Sequence, residues 1–181
     1  VVRPARIALK RAQDKYGIDN LHIMVPFVRT TNELKNTLEL IKKAGLKQGP
    51  DFKIWMMVEV PSNIFLLDEF IEMGLDGISV GSNDLTQLIL GVDRDSSNLS
   101  EHFDERNKAV KTALNFIIKK CREHHITSSV CGNAVSVYPE IVELLVKAGV
   151  TSLSIAPDML TSTRKLVSSI EKQIVLEHSL E

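Results

Sequence analysis

Glu59 closes an otherwise apolar run, Ile54-Trp55-Met56-Met57-Val58-Glu59, and Asp84 lies in Gly81-Ser82-Asn83-Asp84, where glycine lets the backbone approach a ligand and the following side chains offer oxygens. An ionised carboxylate at the end of an apolar strand is costly unless something positive faces it. One reading pairs Glu59 with a Lys or Arg and leaves Asp84 to cap the next helix. The other places a divalent metal between them, because two carboxylates completed by water and substrate oxygens suit Mg2+ or Mn2+. Cys131, followed by Gly132 and Asn133, has its thiol beside amide donors that lower a thiol pKa; the commoner fate of a cysteine is burial as a small hydrophobe. With no histidine in a motif near it, proton transfer suits Cys131 better than nucleophilic attack.

Arg29 and Arg94 could each clamp a phosphate or carboxylate in two-pronged fashion. Asp93 and Asp95 flank Arg94, so a surface ion pair is its alternative. Cys121 belongs to the packed stripe of a helix. The histidines His22, His102, His124, His125 and His178 show no ligand spacing, and His124-His125 falls at a helix end, where a positive charge meets the helix dipole.

Glu59, Asp84, Cys131 and Arg29 all fall at or just after the C-terminal end of a predicted strand. Parallel α/β folds gather their active sites on that edge, since its loops converge. The predicted strands are 22–27, 54–59, 77–81, 127–131 and 152–155. The second is apolar enough to be buried on both faces. Helices are predicted from Thr31 to Gly45 with Leu34, Leu38 and Ile41 inward, from Pro61-Ser62 to Gly74, after Asp84, from Phe103 to His124, from Pro139 to Gly149, and from a cap at Asp158 to Ile174. A polar excursion spans 93–100, and excursions of this kind in a small domain are often functional.

Alternating strands and helices make the chain α/β with a parallel sheet. Two architectures fit: an open doubly wound sheet, or roughly the last five βα units of a (β/α)8 TIM-type barrel. A helix before the first strand, with Ala5, Leu9 and Ala12 on one face, favours the truncated barrel, as does a start at Val1 rather than Met. The barrel portion is expected over 1–175 and a tail over 176–181.

The 44% hydrophobic and 25% charged composition over 181 residues is that of an ordinary globular domain. A net charge of −1, without basic clusters, argues against nucleic acid or anionic lipid as partner. Apolar runs fall well short of the roughly 18 residues of a membrane span, and two cysteines make no disulfide framework. A cytoplasmic protein is expected.

The segments Met24-Val25-Pro26-Phe27-Val28-Arg29-Thr30, Met56-Met57-Val58-Glu59-Val60-Pro61-Ser62, Ser79-Val80-Gly81-Ser82-Asn83-Asp84-Leu85-Thr86-Gln87, Gly91-Val92-Asp93-Arg94 and Val130-Cys131-Gly132 resemble, in order, motifs of the PEP-utilising enzymes. That group includes phosphoenolpyruvate synthase, pyruvate phosphate dikinase and enzyme I of the sugar phosphotransferase system. Phe27-Val28-Arg29-Thr30 and Phe103-Asp104-Glu105-Arg106-Asn107 look most like the synthase branch, although Asn133 stands where that branch is expected to carry Gln. The resemblance, which runs from about Lys10 to Leu166, implies a PEP/pyruvate-binding barrel and roles for particular residues. Glu59 and Asp84 would ligate Mg2+ (or Mn2+), which would hold pyruvate or its enolate. Ser82, Asn83 and Gly132 would contact substrate or phosphate, Arg94 would neutralise phosphoryl charge, and Cys131 would exchange a proton at the methyl carbon; Arg29 is counted with the substrate-binding residues.

The phosphoryl group would come from a phosphohistidine, charged from ATP, on domains upstream of Val1. The implied activity is ATP + pyruvate + water to AMP + PEP + phosphate, with the isolated chain inactive. Two other classes compete: a metal-dependent pyruvate or PEP aldolase or lyase, which would not need Cys131, and a non-catalytic barrel scaffold. Unpaired strand edges would favour a homo-oligomer.

Overall fold

A computed structural model describes residues 2–18, 20–96 and 98–180; the side chains of residues 2–6 and of His178, including Ala5 of the predicted first helix face, lie outside the described residues. Helix α1 (Val2–Tyr16) leads into β1 (Ile23–Val25), α2 (Thr31–Lys43), β2 (Ile54–Val58), α3 (Pro61–Phe65), α4 (Leu67–Glu72), β3 (Gly77–Gly81), α5 (Ser82–Leu90), α6 (Lys108–Glu123), β4 (Thr127–Cys131), α7 (Ala134–Val137), α8 (Pro139–Ala148), β5 (Ser152–Leu153) and α9 (Leu160–Ser179). The strands form one parallel sheet in the order β1-β2-β3-β4-β5.

That order decides between the two architectures. A doubly wound sheet reverses its strand order at a switch point and splits its helices between two faces. Here each strand pairs with its neighbours in sequence, and α2, α4, α6, α8 and α9 pack on one another in a single row. The chain is therefore a sector of a (β/α)8-type barrel. Its core lies between sheet and helices: Ile54, Met56 and Val58 of β2, Ile78 and Val80 of β3 and Val130 of β4 meet Leu34, Phe70, Leu114, Ile117 and Leu145.

The other face of the sheet is the barrel interior. Register aligns Trp55 with Gly77 and Met57 with Ser79 on β2 and β3, and Gly77, Ser79 and Gly81 with Thr127, Ser129 and Cys131 on β4. Bulky side chains on β2 thus face small ones on β3 and β4, which lets them interleave. Trp55 and Met57 are only half-buried, so β2 is not covered on both faces as its apolar run suggested. The interior of this sector is lined by five strands, and β1 and β5 are each paired on one side.

Several element boundaries differ from the sequence reading, for local reasons. The helix expected from Pro61 to Gly74 breaks at Leu66 into α3 and α4. Residues 103–107 do not begin α6; Asn107 caps that helix by accepting from the Ala109 N–H at 2.9 Å. Asp158 does not stand at the N-cap of α9: it lies in a 3-10 turn over Pro157–Met159, and Met159 takes the cap position. Helix α9 runs on to Ser179 through most of the segment read as a tail. Among the described residues no helix is long and apolar enough to cross a membrane.

Candidate active site

The C-terminal ends of β2, β3 and β4 lie side by side, and each delivers one group. Glu59 follows β2, Ser82, Asn83 and Asp84 open α5 directly after β3, and Cys131 ends β4 directly opposite Gly81. Gly81 has to be small: a Cβ there would stand 2.8 Å from Glu59 Oε2 and 3.2 Å from Met57 Sδ. Glycine on the middle strand therefore lets the Glu59 carboxylate and the Met57 thioether of β2 lie against it.

Glu59 is 4% exposed. Its Oε1 accepts the Phe27 backbone N–H at 2.7 Å, and Phe27 takes a left-handed backbone (φ 51) to deliver it, a conformation that disfavours a residue with a Cβ. Asn63 locks the turn beneath: its Oδ1 accepts from the Glu59 and Val60 amides at 3.3 and 3.1 Å, and its Nδ2 donates to Val28 O at 2.7 Å. Burial holds the Glu59 carboxyl above its ordinary pKa; the Phe27 amide opposes this and the neighbouring Asp84 charge adds to it. No Lys or Arg among the described residues forms an ion pair with Glu59, so the lysine-or-arginine reading has no support. Asp84 sits in the first turn of α5, where a negative charge suits the helix dipole, but the N-cap of that helix is Gly81.

Cys131 is half-buried, its Sγ 3.4 Å from Val80 O and 3.9 Å from Ser79 Oγ. Cys121 is fully buried on α6, and burial pushes its thiol up to about 12. Asn83 Oδ1 accepts the Asn133 N–H at 3.1 Å, joining the turn after β3 to the turn after β4. Gly132 (φ +115) packs so closely on Ser82 Oγ that no Cβ fits. The Ser82 hydroxyl, fully buried, is directed at Glu105 Oε1, 2.6 Å away.

The arginines stand farther out. Arg29 is exposed, stacks over the Phe27 ring at 5.0 Å and pairs loosely with Glu33 at 3.7 Å. Arg94 is exposed and 3.9 Å from Asp95, although its charge reaches Glu105. His124 bonds Asp68 Oδ1 at 2.8 Å, a side-chain partner in addition to the helix end. A groove between β5 and α9, lined by Leu153, Leu160, Val167 and Val175, is apart from this mouth.

The sequence profile of the PEP-binding domain of PEP-utilising enzymes matches residues 2–172. The chain belongs to the PEP-utilising enzyme family. It is 52% identical over 172 residues to a probable phosphoenolpyruvate synthase of Staphylothermus marinus and 50% identical over 172 residues to the phosphoenolpyruvate synthase of Aeropyrum pernix, each time across 94% of this chain. The Escherichia coli phosphoenolpyruvate synthase is 42% identical across 91% of it. The chain spans only about a fifth of these relatives, 20 to 21% of their length. In fold it is similar to the crystal structure of RipC from Yersinia pestis, with a TM-score of 0.61 at 12% identity over 89% of this chain and 70% of that one.

Glu59 and Asp84 are the carboxylates that could hold a hard divalent cation: Glu59 is buried, pairs with no Lys or Arg among the described residues, and feels the charge of Asp84. Among the described residues no group of three or more His, Cys, Asp or Glu side chains is arranged for a metal. Glu105 escaped the sequence reading because it looked like part of a helix; its place in a motif shared with the synthase branch was the available signal.

Proposed function

We propose that this chain is the metal- and pyruvate-binding end of a phosphoenolpyruvate-forming enzyme, working with upstream domains that bind ATP and carry a phosphohistidine. The observation that carries the reading is the strand-end trio: the buried, amide-anchored Glu59, the Asp84 whose charge it feels, and the Cys131 thiol across Gly81. Glu59 and Asp84 would hold Mg2+ or Mn2+, which when bound supplies Lewis-acid stabilisation of the negative charge that develops on pyruvate.

Cys131 faces the same mouth and, entering the step as thiolate, takes the C3 proton of pyruvate onto its sulfur, leaving the enolate and a neutral thiol. The enolate oxygen then forms a bond to phosphorus as the bond from phosphorus to histidine breaks, and the freed electron pair stays on the imidazole. In the reverse direction Cys131 returns the proton to C3. Arg94, on the loop beside α5, offers its charge to the phosphoryl oxygens, while Asn83 and the Ser82 and Gly132 backbones shape the rim. Arg29 lies over Phe27 at the edge of the mouth, where it can meet the substrate carboxylate.

The test is proton exchange at the methyl group of pyruvate in D2O by the full-length enzyme. Cys131→Ser should reduce exchange by about 10²-fold or more, the scale of a lost general acid–base, while Mg2+-dependent oxalate binding persists. Exchange that survives the substitution would point to an aldolase or lyase; absence of Mg2+-dependent oxalate binding would leave a scaffold. The 181-residue chain alone is expected to make no phosphoenolpyruvate from ATP and pyruvate.

A further inference from the structure

Glu105 is the least explained charge in the molecule. It is 3% exposed, comes from the segment between α5 and α6, and forms no ion pair among the described residues. A buried carboxyl without a counter-charge is unfavourable, and an apolar side chain would fill the space without that penalty. What Glu105 does instead is join the two turns of the proposed active site. Its Oε1 lies 2.6 Å from the Ser82 hydroxyl, at the turn that carries Asp84. The Ala134 amide, three residues beyond Cys131, also acts on its carboxyl.

Everything around that junction is tight. Gly132 sits on Ser82 without room for a methyl group, and Asn133 donates to Asn83 at 3.1 Å. The segment that supplies Glu105 is itself pinned on both sides. Asp104 and Arg106 pair at 2.9 Å, Arg106 lies 4.7 Å over the Tyr138 ring, and Asn107 caps α6. Glu105 is thus held, buried, against the loops bearing Asp84 and Cys131.

We propose that Glu105 is a positioning residue which, through Ser82 and the Ala134 amide, sets the Cys131 thiol against substrate held at Glu59 and Asp84. The assignment rests on the pyruvate reading above and makes a separate claim: Glu105 governs proton transfer more than binding. Its carboxyl is held above the ordinary range, chiefly by burial, so a neutral acceptor should serve in its place.

The experiment compares Glu105→Gln, which keeps an oxygen for Ser82, with Glu105→Met, which fills the space without one, in the full-length enzyme. Readouts are methyl exchange in D2O, kcat and KM for pyruvate, Mg2+-dependent oxalate binding, and ATP-dependent histidine phosphorylation. Glu105→Met should lower exchange and kcat by about tenfold or more, the usual scale for a displaced supporting residue. KM and oxalate affinity should stay within about threefold, with histidine phosphorylation unchanged, and Glu105→Gln should stay within about threefold of wild type throughout. The proposal fails if Glu105→Met exchanges within about twofold of wild type, if both variants are equally impaired, or if oxalate binding or histidine phosphorylation falls in step with exchange. Wild type that shows no Mg2+-dependent exchange, or Cys131→Ser that exchanges normally, sinks the pyruvate reading and this assignment with it. Normal controls with a silent Glu105→Met sink Glu105 alone.

Discussion

A single methyl group on Gly81 should disable metal-dependent binding while leaving the fold in place. The Ala Cβ would meet Glu59 Oε2 at 2.8 Å, Glu59 Cβ at 3.1 Å and Met57 Sδ at 3.2 Å. Gly81 has φ −84, which any residue adopts, so the effect is steric. The first contact is the end of a side chain and can swing aside, but moving Oε2 turns the carboxylate whose other oxygen, Oε1, accepts the Phe27 amide at 2.7 Å, and so strains that bond. Losing a bond to a charged acceptor costs about 1.5–3 kcal/mol, and crowding a packed site costs about 1–3 kcal/mol; the two overlap, because one movement relieves both.

A displaced Glu59 translates into about 10- to 100-fold weaker Mg2+-dependent oxalate binding, since each 1.4 kcal/mol is about tenfold. Calorimetric titration of oxalate with Mg2+ on full-length Gly81→Ala measures it. Gly77→Ala, two pleats back on the same strand, is the control. There a Cβ would strike Thr127 Oγ1 and Trp55 Cε2 at 2.5 and 2.7 Å, so it should lower thermal stability without touching the carboxylate. Oxalate affinity of Gly81→Ala within about threefold of wild type would refute the reasoning, as would an equal loss in Gly77→Ala.

Glu59→Gln should be at least as heat-stable as wild type near neutral pH yet unable to bind oxalate with Mg2+. Because the folded-state pKa is raised, the native state binds the proton more readily than the unfolded chain. This group's contribution therefore falls as pH rises from its ordinary 4.5 through the elevated folded value; the stability difference between variant and wild type should shrink as pH drops toward 4.5, checked by melting curves across pH. Gly132→Ala should destabilise by at least about 1–2 kcal/mol from its backbone alone, with further loss from collision with Ser82, read by denaturant titration. Alkylation of the folded protein should label half-buried Cys131 and spare Cys121, whose thiol is pushed up to about 12, until denaturant is added; mass spectrometry of the peptides distinguishes them.

Much of this was written in local pattern. The β3 and β4 segments stand where their β-branched and small residues ended at polar turns, and α2 and α8 stop where Gly45 and Gly149 take left-handed backbones. Strand ends also told where Glu59, Asp84 and Cys131 belong, because in a parallel α/β sheet the edge is a consequence of strand direction. Sequence periodicity could not choose between a doubly wound sheet and a barrel sector, since both use identical βα units; strand order is a long-range property and only the assembled sheet displays it. Nor could it see that Phe27 adopts a left-handed backbone to anchor Glu59, or that Gly81 is empty so that two neighbours can approach. Glu105 shows the difference most clearly. Its segment has helix-like composition, but side-chain capping by Asn107 and the Arg106–Tyr138 stack hold it as a loop. Contacts between residues far apart in the chain thereby turned an ordinary surface-type glutamate into a buried tie between two loops.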